Sequence, residues 1–270
     1  MQRPRVTILE SLNWETERHA TITFADPLIA ASPAGTFCMV WVPGVDEVPM
    51  GTGYTTKDGK VSLTVEAKGD CTKAMLALPE GSKIGVRGPY GQGFRLPDSG
   101  HVCFVGGGTG IAPMARGAQQ ALEAGLEVTV IAGARSKDLL LLHPYLSAQA
   151  EAGNLHYHPC TNDGSHGFHG FTTQQLQALW DAGASFDYVA ACGPEPMMVA
   201  VVAQCDEAGV PAEASLERYM KCAVGICDAC TVGDGQRVCV EGPVFTSADL
   251  KHIPEFGVGH RDAAGIMHPW

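Results

Sequence analysis

Two rhythms of hydrophobic and polar positions divide most of the chain. Up to about residue 98 the pattern is alternation in short runs: Arg5-Val-Thr-Ile-Leu9, Ala20-Thr-Ile-Thr-Phe24, Thr36-Phe-Cys-Met-Val-Trp-Val42, Lys60-Val-Ser-Leu-Thr-Val65 and Lys83-Ile-Gly-Val-Arg87. Period-two runs separated by Pro, Gly and Asp predict a small antiparallel β-barrel over residues 1–98. One helical stretch interrupts it at residues 71–78, capped by Asp70 or Thr72 and stopped by Pro79-Glu-Gly81. From 99 to about 212 the rhythm changes. Apolar runs at 101–105, 127–132, 155–158 and 186–191 alternate with helical patterns at 114–124, 139–151, 172–179 and 196–205. Strand-loop-helix repeats of this kind predict a parallel sheet with helices on both faces. The rest, 213–270, forms a third, smaller segment.

Ligands of open parallel sheets bind beyond the carboxyl ends of the strands, so the loops there carry the candidate chemistry. Gly106, Gly107, Gly108, Thr109 and Gly110 make a strand-to-helix turn whose N–H groups suit a dinucleotide phosphate, although the G-x-G-x-x-G spacing is missing. Arg135 and Ser136 put a cation and a hydroxyl after the next strand, and a solvated helix start is the alternative. Cys192, Gly193 and Pro194 hold a thiol at the same edge, where a purely structural cysteine is the other reading. In the first segment, Gly69 and Thr72 open the helix with its positive end free for a pyrophosphate, or serve as an ordinary cap. Gly88 and Tyr90 lie in a turn cluster at the segment boundary.

Composition narrows the class. A chain of 270 residues has room for two ordinary domains and an appendage. With 45% hydrophobic and 17% charged residues it belongs among globular proteins, and a net charge of −11 argues against nucleic acid or an anionic membrane as partner. No run approaches the roughly 20 apolar residues of a membrane span, and the start of the chain lacks a signal-peptide pattern, so a cytoplasmic protein is expected. Ten cysteines in that compartment suggest metal binding or reduced thiols. Six are scattered singly (Cys38, Cys71, Cys103, Cys160, Cys192 and Cys205) and read by default as small buried hydrophobes.

The remaining four are spaced C-x4-C-x2-C-x8-C: Cys222, Cys227, Cys230 and Cys239. Three thiolates on one loop and a fourth nearby is close to the plant-type arrangement that holds a 2Fe-2S cluster. Structural zinc usually takes two short pairs across a longer gap, and disulfides are the other alternative. Gly225 suits a curl between the first two cysteines, and Gly233 and Gly235 a hairpin back to Cys239. The small and apolar residues of this loop, Ala223, Val224, Ile226 and Ala229, suit either a partner's surface or the chain's own core. The tail from 246 to 270 carries His252, His260 and His268 without metal-ligand spacing and reads as a packed or partner-contacting extension.

Taken together these motifs resemble the ferredoxin reductase family, a flavin-binding antiparallel barrel followed by a nicotinamide-nucleotide domain. The cysteines, Leu216-Glu217-Arg218-Tyr219-Met220-Lys221 before them and Val240-Glu241-Gly242-Pro243-Val244-Phe245 after them are similar to the electron-transfer subunits of dihydroorotate dehydrogenase B. The resemblance covers essentially the whole chain and implies three domains, 1–98 for FAD, 99–212 for NAD(P) and 213–270 for the 2Fe-2S cluster. It implies FAD contacts at Pro49, Met50, Gly51, Thr52 and Tyr54, with its pyrophosphate near Gly69 and Thr72 and with Gly88 and Tyr90 close by. The family commonly has Arg-x-Tyr/Phe-Ser where this chain has Val48-Pro49-Met50-Gly51, which removes a charge-assisted phosphate contact and a hydroxyl; Thr52 and Tyr54 are the candidate replacements.

The resemblance places a nicotinamide nucleotide at Gly107, Gly108, Thr109, Gly110, Cys192, Gly193 and Pro194, with NAD and NADP both open. It further implies an oxidoreductase subunit with no catalytic acid or base of its own. Electrons would pass between NAD(P), FAD, the cluster and an FMN-containing dihydroorotate dehydrogenase catalytic subunit, in a heterotetramer of two plus two. The flavin and iron-sulfur subunits of NADH-dependent ferredoxin:NADP oxidoreductases and of sulfhydrogenases share the layout, and a zinc-stabilised binding module is the non-enzymatic alternative.

Overall fold

The structure, a computed structural model, describes residues 3–270. The first six strands are β1 (Arg5–Trp14), β2 (His19–Phe24), β3 (Phe37–Val42), β4 (Asp46–Gly51), β5 (Val61–Glu66) and β6 (Lys83–Tyr90). They form an antiparallel sheet in the order β4-β3-β6-β1-β2-β5, around a core that includes Leu9, Ile22, Phe24, Val40, Leu63 and Val86. The closed barrel expected from the alternation is not seen as a continuous ladder. Its edges are tied only where the chain past β4 meets β5, by Gly53 N–H to Ser62 O at 2.9 Å and Ser62 N–H to Tyr54 O at 3.0 Å. β4 ends at Gly51, and the tie beyond it depends on Gly53, where a Cβ would lie 2.5 Å from Ser62 Oγ. Helix α1 (Pro27–Ala30) is capped by Asp26, and α2 (Asp70–Leu76) packs beside β4.

The second sheet comprises β7 (His101–Gly107), β8 (Glu127–Ala134), β9 (His156–Thr161), β10 (Phe168–His169), β11 (Tyr188–Cys192) and β12 (Ala212–Ser215). Its strands are parallel in the order β10-β9-β8-β7-β11-β12, with α3 (Ile111–Glu123), α4 (His143–Glu151), α5 (Thr172–Asp181) and α6 (Glu195–Ala208) connecting them. Helix α4 begins four residues later than its hydrophobic pattern suggests. Leu140, Leu141 and Leu142 are drawn into the core, Leu142 adopts a left-handed φ of 55°, and its N–H is received across the domain junction by the Glu15 carboxylate.

Beyond β12 the chain forms the cysteine loop, the short pair β13 (Thr231–Val232) and β14 (Gln236–Arg237), and β15 (Val244–Thr246). β15 returns to the second sheet as its seventh strand, antiparallel to β12. Helix α7 (Ser247–Leu250) and the hairpin β16 (Gly259–Arg261) and β17 (Met267–Pro269) complete the chain. The tail packs on the chain itself: Leu250 and Ile253 join the core around α6, and Trp270 stacks on His260 with the Arg218 guanidinium 6.0 Å from its ring centre. Among the described residues no helix is long and apolar enough to cross a membrane.

Candidate functional site

The cysteine loop is built from unusual backbone. Ala223, Gly225 and Asp228 all have positive φ (61°, 74° and 53°), so the chain reverses repeatedly and turns its amides inward. Gly225 is required sterically as well as conformationally, since a Cβ there would sit 2.8 Å from a Val240 methyl. Cys222 Sγ receives the Val224 amide and Cys230 Sγ the Cys239 amide, each at 3.4 Å. Burial pushes the Cys222 thiol up, but the amides of Val224, Ile226 and Cys227 and the Cys227 thiol outweigh it and bring it down to about 6. Cys239 is pushed up to about 12 by burial, by its hydrogen bond with Cys230 and by the neighbouring Cys222.

The four thiols form two hydrogen-bonded pairs, Cys222 with Cys227 and Cys230 with Cys239, and none is in a disulfide. Among the described residues no three Cys, His, Asp or Glu side chains are gathered for a single ion. Two thiol pairs with amides directed at sulfur suit a binuclear cluster, whose sulfurs accept hydrogen bonds, better than one tetrahedral ion. Cys227 and Ile226 are exposed, whereas Ala223, Cys230 and Cys239 are buried.

At the carboxyl edge of the second sheet, β7 and β11 are neighbours and bring residues 107–110 against residues 192–194. Three of the glycines singled out by the sequence serve this packing. A Cβ on Gly107 would lie 2.9 Å from both Met197 and Pro194, one on Gly110 only 2.3 Å from Cys192 O, and one on Gly193 2.8 Å from Gly107 O. Gly108 is different: it is exposed, has a φ of +54° and faces open space, with Thr109 half-buried beside it. The open part of this turn is thus at Gly108 and Thr109, on a base made by the other glycines. Cys192 is half-buried; burial pushes its thiol up to about 12, Glu217 adds to this and the Ser215 hydroxyl opposes it, so it stays protonated and uncharged at neutral pH. Arg135 is exposed in the loop after β8, whose backbone is joined to the loop after β9 through Asp163 N–H to Arg135 O.

The β4 strand runs towards this edge. Gly51 is exposed and has space for a side chain, the nearest atom to a Cβ being Pro113 Cγ of α3 at 4.0 Å. Pro49 and Met50 are half-buried beside it. The two candidate replacements for the missing Arg and Ser are engaged elsewhere. Both the amide and the hydroxyl of buried Thr52 donate to Thr36 O, and the Tyr54 ring stacks on Tyr145 at 4.0 Å. The Thr72 hydroxyl closes the cap of α2 on the amides of Lys68 and Gly69. Gly88 has a φ of +120° and precedes a cis proline, and Tyr90 packs against Phe37.

The sequence places Arg87 at the head of the turn cluster around Gly88 and Tyr90, as ligand-lining or a plain boundary turn, but does not show that it joins this strand to the cysteine loop. Buried Arg87 of β6 binds both oxygens of Glu47 and the carbonyl of Cys222, a contact 135 residues away along the chain. Its other local signal was a cation inside a strand. Phe37 and Met39 of β3 also share one core with Met220, Ala223, Cys230 and Cys239.

Comparison with known proteins bears on both loops. A family model described as the iron-sulfur cluster binding domain of dihydroorotate dehydrogenase B matches residues 217–251, and one described as an oxidoreductase NAD-binding domain matches residues 104–203. The chain is similar to a protein of Methanothermobacter thermautotrophicus named as a probable dihydroorotate dehydrogenase B (NAD(+)) electron transfer subunit, at 41% identity over 100% of this chain and 99% of the relative. A protein of the same name in Methanocaldococcus jannaschii is 44% identical over 86% of each chain. Among solved structures, that of a NADH-dependent reduced ferredoxin-NADP oxidoreductase is similar with a TM-score of 0.80 and 27% identity over 95% of each chain. A ferredoxin NADP+ reductase from Neisseria gonorrhoeae solved with FAD and NADP shares the fold, with a TM-score of 0.64 at 14% identity over 77% of this chain and 93% of its own.

Proposed function

The chain belongs to the family of dihydroorotate dehydrogenase B electron-transfer subunits, and we propose that it moves electrons between a nicotinamide nucleotide and a catalytic partner through FAD and a 2Fe-2S cluster. One observation carries this reading: the first sheet touches both ends of the path. Gly51 at the end of β4 faces the helix that follows the glycine turn, while Phe37 and Met39 of the adjacent β3 pack on the cysteine loop.

Each part of the chain then has a task. The turn at Gly108 and Thr109 leaves its amides open to a phosphate, and Cys192 offers an uncharged thiol to the nicotinamide end. β4 from Pro49 to Gly51 is the wall for the flavin, bound without the family's usual Arg and Ser contacts. Cys222, Cys227, Cys230 and Cys239 hold the cluster, with the inward amides of the loop stabilising negative charge on sulfur. A bound flavin supplies the exchange between two-electron hydride transfer and the one-electron chemistry of iron and sulfur. No proton has to be moved by a side chain of this subunit. In the dihydroorotate direction, electrons leave the substrate in the partner, an FMN-containing catalytic subunit, and end on NAD+. The assembly we infer is two copies of each subunit, in the cytoplasm.

A second reading is favoured by the solved ferredoxin-NADP oxidoreductase, which is similar over 95% of the chain: the same path serving a ferredoxin-linked partner. Identity favours the first reading, 41% against 27% at comparable coverage. The test is anaerobic co-purification with the native partner, an absorption spectrum and an assay of dihydroorotate oxidation coupled to NAD+. Flavin and iron-sulfur bands with coupled activity are expected. A colourless zinc protein would defeat both readings, and a flavin and cluster without dihydroorotate activity would favour the second.

A further inference from the structure

The side of the cysteine loop that faces the first sheet is held by apolar packing, by Gln92 and by a charged pair at Cys222. Arg87 is 8% exposed, and its Nε and Nη2 donate to the two carboxylate oxygens of Glu47 at 2.6 and 2.5 Å. Its Nη1 donates to Cys222 O at 2.9 Å and to the Tyr90 hydroxyl at 3.2 Å, and the guanidinium lies 5.5 Å from the centre of the Tyr90 ring. Glu47 sits on β4, immediately before Val48, Pro49, Met50 and Gly51. One side chain therefore spans from the strand assigned to the flavin to the backbone of the first cysteine. The planar guanidinium fixes this geometry, since its five donors point in set directions and it keeps its proton.

The pair is neutral in sum but oriented. Its positive member touches the carbonyl of Cys222, and its negative member is held on the far side of the guanidinium. Uptake of one electron by an iron-sulfur cluster adds one negative charge to the thiolate-bound unit, and nearby charges and hydrogen bonds set how readily this happens. We propose that Glu47 and Arg87 are a positioning pair for electron uptake at the cysteine loop: they pin Cys222 against the first sheet and, by their orientation, favour the reduced cluster. The inference rests on the reading that Cys222, Cys227, Cys230 and Cys239 hold a 2Fe-2S cluster.

A simple strut would use the same contacts, so the test must separate charge from support. Glu47→Gln keeps the size of the side chain and removes the negative member, while Arg87→Gln removes the positive one. Each would be purified with its cluster and titrated anaerobically with dithionite and mediators, the reduced cluster being read by electron paramagnetic resonance. The midpoint is expected to rise in Glu47→Gln and to fall in Arg87→Gln, each changing the reduced-to-oxidised ratio at a fixed potential by about threefold or more. Arg87→Lys, which keeps the charge but loses the fork, should lie close to the parent in midpoint. Shifts of the same sign, or none, overturn the proposal. Should Arg87→Gln fail to fold, Glu47→Gln decides alone, and an unmoved or lowered midpoint overturns it. A parent protein with flavin but no iron-sulfur signal would instead remove the cluster reading, and the proposal with it.

Discussion

Two buried arginines stand at the two junctions of the first sheet, and they are held in opposite ways. Arg116, 3% exposed, reaches from α3 to the carbonyls of Ala30 and Ser32 and the Thr55 hydroxyl, with no carboxylate partner among the described residues. Burial lowers its proton affinity, and Glu123 and Tyr145 oppose this. Arg87 has a carboxylate on two of its nitrogens, and that pairing raises its affinity against the cost of burial. Arg116 is thus held by neutral dipoles of backbone and side chain, and Arg87 by an ion pair. The Ala30 and Ser32 carbonyls cannot be altered by substitution, so the first junction is fixed in character at those two contacts. The ion pair can be changed at either end, so the second can be tuned without rebuilding the fold.

The largest expected effect tests whether the junctions or the cores between them yield first. Both arginines stay charged throughout the accessible alkaline range. Burial pushes the thiols of Cys38, Cys160 and Cys205 up to about 12 from 9.0. A raised value means that the folded state favours the protonated thiol, so this contribution is complete below pH 9 and is lost as pH climbs from 9 towards 12. Urea unfolding at pH 8 and pH 11 should differ by on the order of 8 kcal/mol in total for the three thiols. A flat profile would mean that these thiols are less enclosed than the core around them.

Arg116→Met comes next, with a loss of about 3 kcal/mol by thermal or urea unfolding, because a buried guanidinium's bonds to three residues are lost at once, and only Ser32 O keeps another donor, Gln120. Arg87→Met should cost about 2 kcal/mol, less because Glu47 keeps a fifth of its side chain in solvent. The two junctions then diverge: adding Glu47→Gln to Arg87→Met should restore part of that loss, whereas no single partner exists whose replacement restores Arg116→Met. If the double variant is no more stable than Arg87→Met, the ion-pair description of the cluster junction is wrong. The smallest effect is expected at Gly51, where a side chain meets nothing closer than 4.0 Å. Gly51→Ser should leave stability within about 0.5 kcal/mol and tighten FAD binding by up to about tenfold, read by quenching of flavin fluorescence.

The sheets and the cysteine loop were legible in the sequence because each depends on local chemistry. Alternation along 20–24 and 61–65 marked strands, although both prove buried on both faces, and the spacing of four cysteines pointed to a shared site without reference to the rest of the fold. The contacts between domains were not legible. Nothing near Thr52 or Tyr54 announces that one is committed to Thr36 O and the other to the ring of Tyr145. The glycines of 107–110 looked alike in sequence, yet only Gly108 faces open space, since the others are pressed against residues 192–197 by the adjacency of β7 and β11. The late start of α4 is of the same kind. Its leucines have a helical spacing, but the pull of the core and a carboxylate from another domain override it.

The return of β15 beside β12 has a mechanical consequence. The chain leaves the sheet at Ser215 and re-enters it at Val244, directly opposite, with Leu216 N–H bonded to Pro243 O at 2.8 Å. The cysteine loop is therefore a bight with both feet clamped side by side, unlike a carrier swung on a flexible tether. A clamped bight cannot shuttle, so any partner that exchanges electrons with it must come to it and dock. The rate of delivery would then follow the lifetime of that complex, with no dependence on the reach of a linker.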